Sequence, residues 1–450
     1  MTAGCRAERD RQNRENGEEM DTFERLESEV RSYCRSFPAV FDRAVGCRLY
    51  DEQGRAHLDF FAGAGALNYG HNPPALKQPL LAYLAGDGVT HGLDMSTRAK
   101  RAFLERFDEL ILRPRELSYK IQFPGPTGTN AVEAALKLAR KITGREGVVS
   151  FTNAFHGMTL GSLSVTGNGF RRRGAGVPLV HSDTMPFDGY FGADVDTLAY
   201  FEAFLDDDGS GIDRPAAVIL ETLQAEGGIQ SASDAWLRGL EAMCRRREIL
   251  LIVDDIQVGC GRTGPFFSFE RAGIRPDLVC LSKSLSGYGL PLAVVLIRPE
   301  LDQWAPGEHN GTFRGNNPAF VTATAALETW WRTSDLEQET RRKGDLVRTR
   351  LDELASQHEA LHATTRGLGL IQGLACELPG AAEAICQEAF ARGLVLETAG
   401  PEAGVVKVMP PLVIDDAALA CGLDILAESA AKVASHVARE APVAIAGGRE

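Results

Sequence analysis

The chain has 450 residues, with 48 lysines and arginines against 61 aspartates and glutamates, and a formal net charge of −13. That length suggests two or three structural units, and the acidic balance argues against nucleic acid or an anionic membrane as the main partner. No apolar run exceeds six residues, far short of the roughly 20 that a bilayer-spanning helix needs, and nine cysteines without a C-x-x-C pair fit reduced cytoplasmic thiols better than disulfides or a metal site.

Residues 1–19 are charged and lack an apolar stretch, so they read as a disordered tail without a secretory signal. Met20 offers an alternative start. Residues 20–62 read as a helix followed by short strands around a turn at Asp51–Gly54. From 63 to 328 short apolar runs alternate with helical segments: Lys120–Phe123, Val148–Phe151, Ala216–Leu220, Leu250–Val253, Leu278–Leu281 and Leu292–Ile297. Such runs between helices predict the buried strands of a mostly parallel sheet. Residues 329–439 read as a long charged helix, strands near Ile371 and Val405, and further helices. Residues 440–450 form a second tail. The expected fold class is therefore α/β. A large domain (63–328) carries a central sheet flanked by helices, and the segments before and after it form a smaller α+β domain.

Polar clusters follow the apolar runs directly. In open α/β sheets ligands bind at the carboxyl ends of the strands, so these clusters predict one composite site. Gly125-Pro-Thr-Gly128-Thr129-Asn130 precedes a helix expected over Ala131–Lys141, with Thr129 or Asn130 as its cap. Such a turn suits a phosphate or is simply a capped helix. Asp254 ends a strand, where a carboxylate calls for a cationic partner such as a protonated ring nitrogen or a metal, or else caps a turn. Lys283, in Ser282-Lys283-Ser284, has the place of a desolvated nucleophilic amine or of a snorkelling surface lysine. Phe155-His156-Gly157 offers a ring for stacking or a core phenylalanine. Glu221, Gln224 and Glu226 add an amide and two carboxylates, or merely solvated loop charges. Gly367–Gly373 has the wrong spacing for a dinucleotide fingerprint.

In their order, these clusters resemble the class III (ω-type) aminotransferases, pyridoxal 5′-phosphate enzymes of fold type I. The likeness covers about Phe23 to Ala438 and rests on the phosphate loop, F-H-G, E-x-x-Q-x-E-G-G, D-D-I-Q-V-G-C-G-R-T-G, S-K-S and G-T-F. It implies that Lys283 is the Schiff-base lysine and proton shuttle, and that Asp254 partners the pyridinium nitrogen. Gln257 would meet the phenolic oxygen, Phe155 would stack on the ring with His156 beside it, and Glu221 would join the cofactor contacts. Gly128 and Thr129 would cradle the phosphate, with Thr312 donated by the other subunit of a homodimer or higher oligomer. No metal is implied. The stretches Leu26–Phe37, Leu58–His71, Thr90–Met95 and Gly311–Asn317 are similar to the branch that aminates L-aspartate 4-semialdehyde with L-glutamate, the first step of ectoine biosynthesis. Siderophore or peptide branches, ornithine and 4-aminobutyrate aminotransferases and an aminomutase are the alternatives. The sequence departs from many relatives in two ways. Asp255 replaces a glutamate, and Lys407 stands where an arginine often binds the 2-oxoglutarate α-carboxylate. The resemblance makes Glu226 a gate against Lys407, or else Lys407 is a surface lysine on a strand of the smaller domain, with Arg314 or Arg98 as other candidates for the carboxylate.

Overall fold

The computed structural model describes residues 22–440. Apart from Glu440, the tails expected at 1–19 and 440–450 lie outside the described residues, as does Met20. Contacts divide the chain after Phe41 into two units. The smaller includes a helical turn at Tyr33–Ser36.

The larger unit is organised around a seven-stranded sheet. Its strands, in chain order, are β1 (Lys120–Gln122), β2 (Val148–Phe151), β3 (Ser182–Met185), β4 (Ala217–Leu220), β5 (Leu250–Asp254), β6 (Leu278–Leu281) and β7 (Val294–Ile297). The spatial order is β1-β7-β6-β5-β4-β2-β3. The pairs β5–β6, β5–β4, β2–β4 and β2–β3 are parallel, and β7 runs antiparallel to both neighbours. Every residue of β2, β4, β6 and β7 is buried, the mark of a sheet covered on both faces. Alternate residues serve opposite faces. Val148, Ile219, Ile252 and Leu278 join the core under helix α1 (Gly128–Thr143), whereas Val149, Val218, Val253 and Val279 join the larger core behind the sheet.

A second sheet consists of β8 (Ala363–Leu368), β9 (Ile371–Cys376), β10 (Glu397–Ala399) and β11 (Val405–Val408). It is antiparallel throughout, in the order β8-β9-β11-β10. Its register sets Glu397 directly opposite Lys407.

Three expectations shift. Helix α1 begins three residues before Ala131, because its N-cap is Thr127 rather than Thr129 or Asn130. Asn130 takes part from inside the helix, its Oδ1 accepting from the Thr127 N–H and hydroxyl at 3.2 and 2.8 Å. Asp254 is itself the last residue of its strand. The charged helix expected from Thr329 starts later, as α3 (Asp335–Gln357), after a separate helix α2 (Asn317–Trp330). Trp331 separates them because its ring is buried edge-on against Phe266 and its indole N–H donates to the Tyr69 hydroxyl at 2.8 Å. Among the described residues, no helix is long and apolar enough to cross a membrane, no cluster of side chains is suited to hold a metal, and the cysteines are free thiols.

Candidate active site

The strand ends open onto a cavity of about 170 Å³. It is lined by Gly128, Thr129, Phe155, His156, Gly157, Glu221, Glu226, Asp254, Ile256, Gln257 and Lys283. Each lining residue except Ile256 and Gly157 was singled out in the sequence as a candidate. Their convergence follows from topology: β2, β4, β5 and β6 are adjacent and parallel, so their carboxyl ends share one edge.

Lys283 follows β6 with φ at 48°, a left-handed conformation that costs a non-glycine residue about 1–2 kcal/mol. Its neighbours hold it there. Ser282 Oγ donates to Leu292 O at 2.8 Å, and Ser284 Oγ donates to Gly65 O at 2.7 Å while accepting the Asn68 N–H at 3.0 Å. Among the described residues the Lys283 amine has no hydrogen-bond or ion-pair partner. Burial lowers its pKa below the ordinary lysine value, against the opposing pull of Glu226.

Asp254 is fixed through both oxygens. Oδ2 meets His156 Nδ1 at 2.8 Å, and Oδ1 accepts the Ile256 N–H at 3.2 Å. His156 is buried, its N–H donates to Thr166 Oγ1 at 3.0 Å, and its Nε2 has no partner. Glu221 accepts the N–H groups of Phe155 and Ala225 at 2.9 and 3.3 Å, and burial pushes its pKa up to about 7. It therefore positions the Phe155 backbone. Gln257 Nε2 donates to Ala64 O at 2.8 Å and reaches Glu226 Oε1 at 3.3 Å, while its Oε1 lacks a partner.

At the phosphate end, Thr129 Oγ1 is 2.7 Å from Thr159 Oγ1 and 2.6 Å from Ser162 Oγ. Gly157 allows this packing, since a Cβ there would stand 2.5 Å from Thr129 Oγ1. Among the described residues, the Gly128 and Thr129 amides, at the start of a 16-residue helix, have no hydrogen-bond acceptor. Free amides at a helix N-terminus attract a phosphate, Phe155 offers a ring face, Asp254 an anion and Lys283 an amine. This donor set fits pyridoxal phosphate.

Lys407, on β11, is 0% exposed. Its Nζ lies 2.8 Å from Glu226 Oε1 and 2.5 Å from Glu397 Oε1. Burial opposes its charge, but the two carboxylates outweigh burial and raise its pKa. Glu226 is partly buried, its side chain 15% exposed, yet the Lys407 and Lys283 charges bring its pKa down to about 2. Glu397 escaped the sequence reading because only strand pairing brings it to Lys407. Arg171 was also missed. Its guanidinium lies 4.3 Å from the Phe155 ring centroid and 3.8 Å from Glu226 Oε2.

The chain does not bring Thr312 or Arg314 to its own Lys283 cavity. Thr312 is exposed, its carbonyl facing His91 Nε2 at 2.8 Å. Arg314 pairs with Asp94 and lines a separate cavity of about 300 Å³ with Lys100 and His309. Asp255 also points elsewhere. Its Oδ2 accepts the Ser268 N–H at 3.0 Å, its Oδ1 has no partner, and burial pushes its pKa up to about 7. Because that folded-state pKa lies above the unfolded one, ionising Asp255 costs stability as pH rises from about 4 to 7. Asp255→Asn keeps an acceptor for Ser268 and removes the ionisation. It should melt above the wild type at pH 8, with the advantage shrinking steadily toward pH 4. A pH-independent difference in melting temperature would contradict this.

The family of class III aminotransferases matches residues 31–429. A diaminobutyrate–2-oxoglutarate transaminase of Nocardia farcinica is 64% identical over 408 residues, covering 91% of this chain and 93% of that protein. One from Halalkalibacterium halodurans is 56% identical over 411 residues, covering 91% and 96%. Among solved structures, a Bacillus anthracis aminotransferase superposes with a TM-score of 0.83 at 23% identity over 93% of this chain and 99% of its own. The ornithine aminotransferase of Toxoplasma gondii gives 0.80 at 23% identity, over 94% and 96%. At that identity the superpositions speak to the fold.

Proposed function

Given that the chain belongs to the class III aminotransferases, we propose that it moves the amino group of L-glutamate to L-aspartate 4-semialdehyde, giving 2-oxoglutarate and L-2,4-diaminobutyrate. The observation that carries this reading is a single cavity joining Lys283, Asp254, Gln257 and the N-terminus of α1. The relatives with 56–64% identity supply the substrate pair. The reading extends to the first step of ectoine biosynthesis, carried out in the cytoplasm.

Pyridoxal phosphate, when bound, supplies a carbonyl that takes up and returns the amino group and a ring that withdraws electrons. The protein's part falls to named side chains. Lys283 anchors that group and carries a proton to and from the substrate carbon. Its lowered pKa keeps more of the amine uncharged, as a base requires. Asp254, held by His156, keeps the ring nitrogen protonated. Gln257 meets the phenolic oxygen, Phe155 packs on the ring, and Gly128 and Thr129 hold the phosphate. The reading is of a homodimer in which Thr312 of the partner subunit completes the phosphate site. The exposure of Thr312 and of Phe313 beside it agrees with that. Residues 63–328 then form the cofactor-binding lobe, and the segments on either side form the smaller lobe. Lys407 pairs with Glu226 during the diamine half-reaction and turns to the α-carboxylate when glutamate enters. Arg314, already paired with Asp94, is left out of substrate binding.

A panel of aldehydes offered with L-glutamate tests the substrate. L-Aspartate 4-semialdehyde should exceed glutamate 5-semialdehyde and succinate semialdehyde in kcat/KM. Preference for either of the others would replace the proposal. Asp254→Asn should still bind the cofactor but lose about 10- to 150-fold in kcat, the worth of one charge-assisted contact of roughly 1.5–3 kcal/mol. Unchanged kcat would remove Asp254 from the ring nitrogen.

A further inference from the structure

We propose that Arg171 binds the outer carboxylate of both substrates: the γ-carboxylate of glutamate and the α-carboxylate of aspartate 4-semialdehyde and diaminobutyrate. The inference rests on the substrate pair above and adds a residue to it. In glutamate the reacting carbon is Cα, and the distal carboxylate carbon lies three carbon–carbon bonds away. In aspartate 4-semialdehyde the reacting carbon is C4, and its carboxylate carbon again lies three bonds away. One cation at one distance from the reacting carbon therefore serves both half-reactions. Lys407 cannot be that cation. It is held between Glu226 and Glu397, and the reading above assigns it to the carboxylate on the reacting carbon, which glutamate alone carries.

Arg171 has the position and the freedom for this task. It lines a second cavity, of about 250 Å³, beside the Lys283 cavity, and Phe155 and Glu226 line both. Its guanidinium stacks 4.3 Å from the centre of the Phe155 ring. The guanidinium remains a planar fork of N–H donors, which can receive a carboxylate bidentately. Among the described residues the side chain makes no hydrogen bond. Its contact with Glu226 is 3.8 Å, beyond hydrogen-bond range, and Glu226 already has Lys407 at 2.8 Å and Gln257 at 3.3 Å. The side chain is 34% exposed, and an incoming carboxylate would replace the water it loses with a charge-assisted pair.

The turn carrying Arg171 is tied down by hydrogen bonds, which fixes the backbone from which the side chain extends. Asn168 Oδ1 caps the turn by accepting the Arg171 N–H at 3.0 Å. The next residue, Arg172, ties it down through the carbonyls of Leu163, Ser164 and Thr166 at 3.3, 2.8 and 2.9 Å. In Arg171-Arg172-Arg173 one arginine is thus committed to the fold, one is exposed, and Arg171 alone faces the cavity.

The test uses the holoenzyme and substrates with or without the outer carboxylate. Arg171→Met keeps much of the apolar stem over Phe155 and removes the fork. It should raise KM for both L-glutamate and L-diaminobutyrate by about tenfold or more, the scale of a lost charge-assisted pair. Turnover of L-2-aminobutyrate and 1,3-diaminopropane, the same molecules without that carboxylate, should change less than about twofold. Arg171→Lys should recover part of the loss. Independently of turnover, calorimetry should show glutarate binding weakened about tenfold and butyrate binding unchanged. Equal losses on the truncated substrates would mean that Arg171 only supports Phe155, and no loss on glutamate would remove it from the site. Either result overturns the assignment. If the wild type turns over glutamate but not diaminobutyrate, the substrate proposal fails while the glutamate and glutarate arms still decide Arg171.

Discussion

Lys283→Ala should lose about 1,000- to 10,000-fold or more in turnover while folding normally. General acid–base catalysis alone contributes about 100- to 10,000-fold, and in this reading Lys283 also anchors the cofactor. The fold should not suffer. Burial lowers the Lys283 pKa, so at neutral pH the protonated amine is less stable inside the protein than in the unfolded chain. For a lysine with a depressed folded-state pKa that cost is present below the unfolded pKa and fades as pH rises toward it. Alanine removes the cost, and the left-handed backbone at φ 48° is no easier or harder for it. The melting temperature at pH 7 should therefore be equal or higher, and the gap from the wild type should close as pH approaches 10. Small primary amines added to the solution should restore part of the activity, because the missing function is a proton carrier. Wild-type turnover in the variant would refute the role of Lys283. An unfolded variant would refute the energetic account of the turn.

The chemistry of this site is largely legible in the sequence because it lies at strand ends. Asp254, Lys283 and Phe155 each follow a short apolar run, and parallel strands deliver such residues to one edge whatever their loops do. Other parts depend on geometry that spacing does not encode. The start of α1 reads three residues late because Thr129 and Asn130 both look like caps. In fact Thr127 caps the helix, and the Thr129 hydroxyl is taken by Thr159 and Ser162. Strand β3 is Ser-Asp-Thr-Met, polar and at the sheet edge, so it carries no apolar run to find. Glu397 meets Lys407 only through the β10–β11 register. Arg171 sits in a run of three arginines that separates into inward, structural and outward roles only once the turn has formed.

The same register makes Lys407→Met a disruptive substitution behind Glu226, which lines the cavity. Lys407 pairs with two carboxylates at once, Glu397 buried and Glu226 partly so, and removing one partner of a buried ion pair costs about 3–5 kcal/mol because the other is left uncompensated. The loss should depend on pH. The Lys407 charge holds Glu226 down at about 2 against the effect of burial. Without it the folded-state pKa of the carboxylates rises above the unfolded value. The variant should therefore be closest to wild type in acid and lose stability as pH increases through neutrality. A second change, Glu397→Gln, removes one of the stranded charges and should restore much of the melting temperature. It should not restore the reaction with glutamate. In single-turnover measurements the glutamate half-reaction should remain weakened about 10- to 150-fold, the scale of one lost contact to a charged group, while the diaminobutyrate half-reaction changes far less. Stability and substrate discrimination then separate within one pair of variants. If both half-reactions fall equally in the stabilised double variant, Lys407 is a structural counterion for Glu226 and Glu397, and the α-carboxylate must find its cation elsewhere.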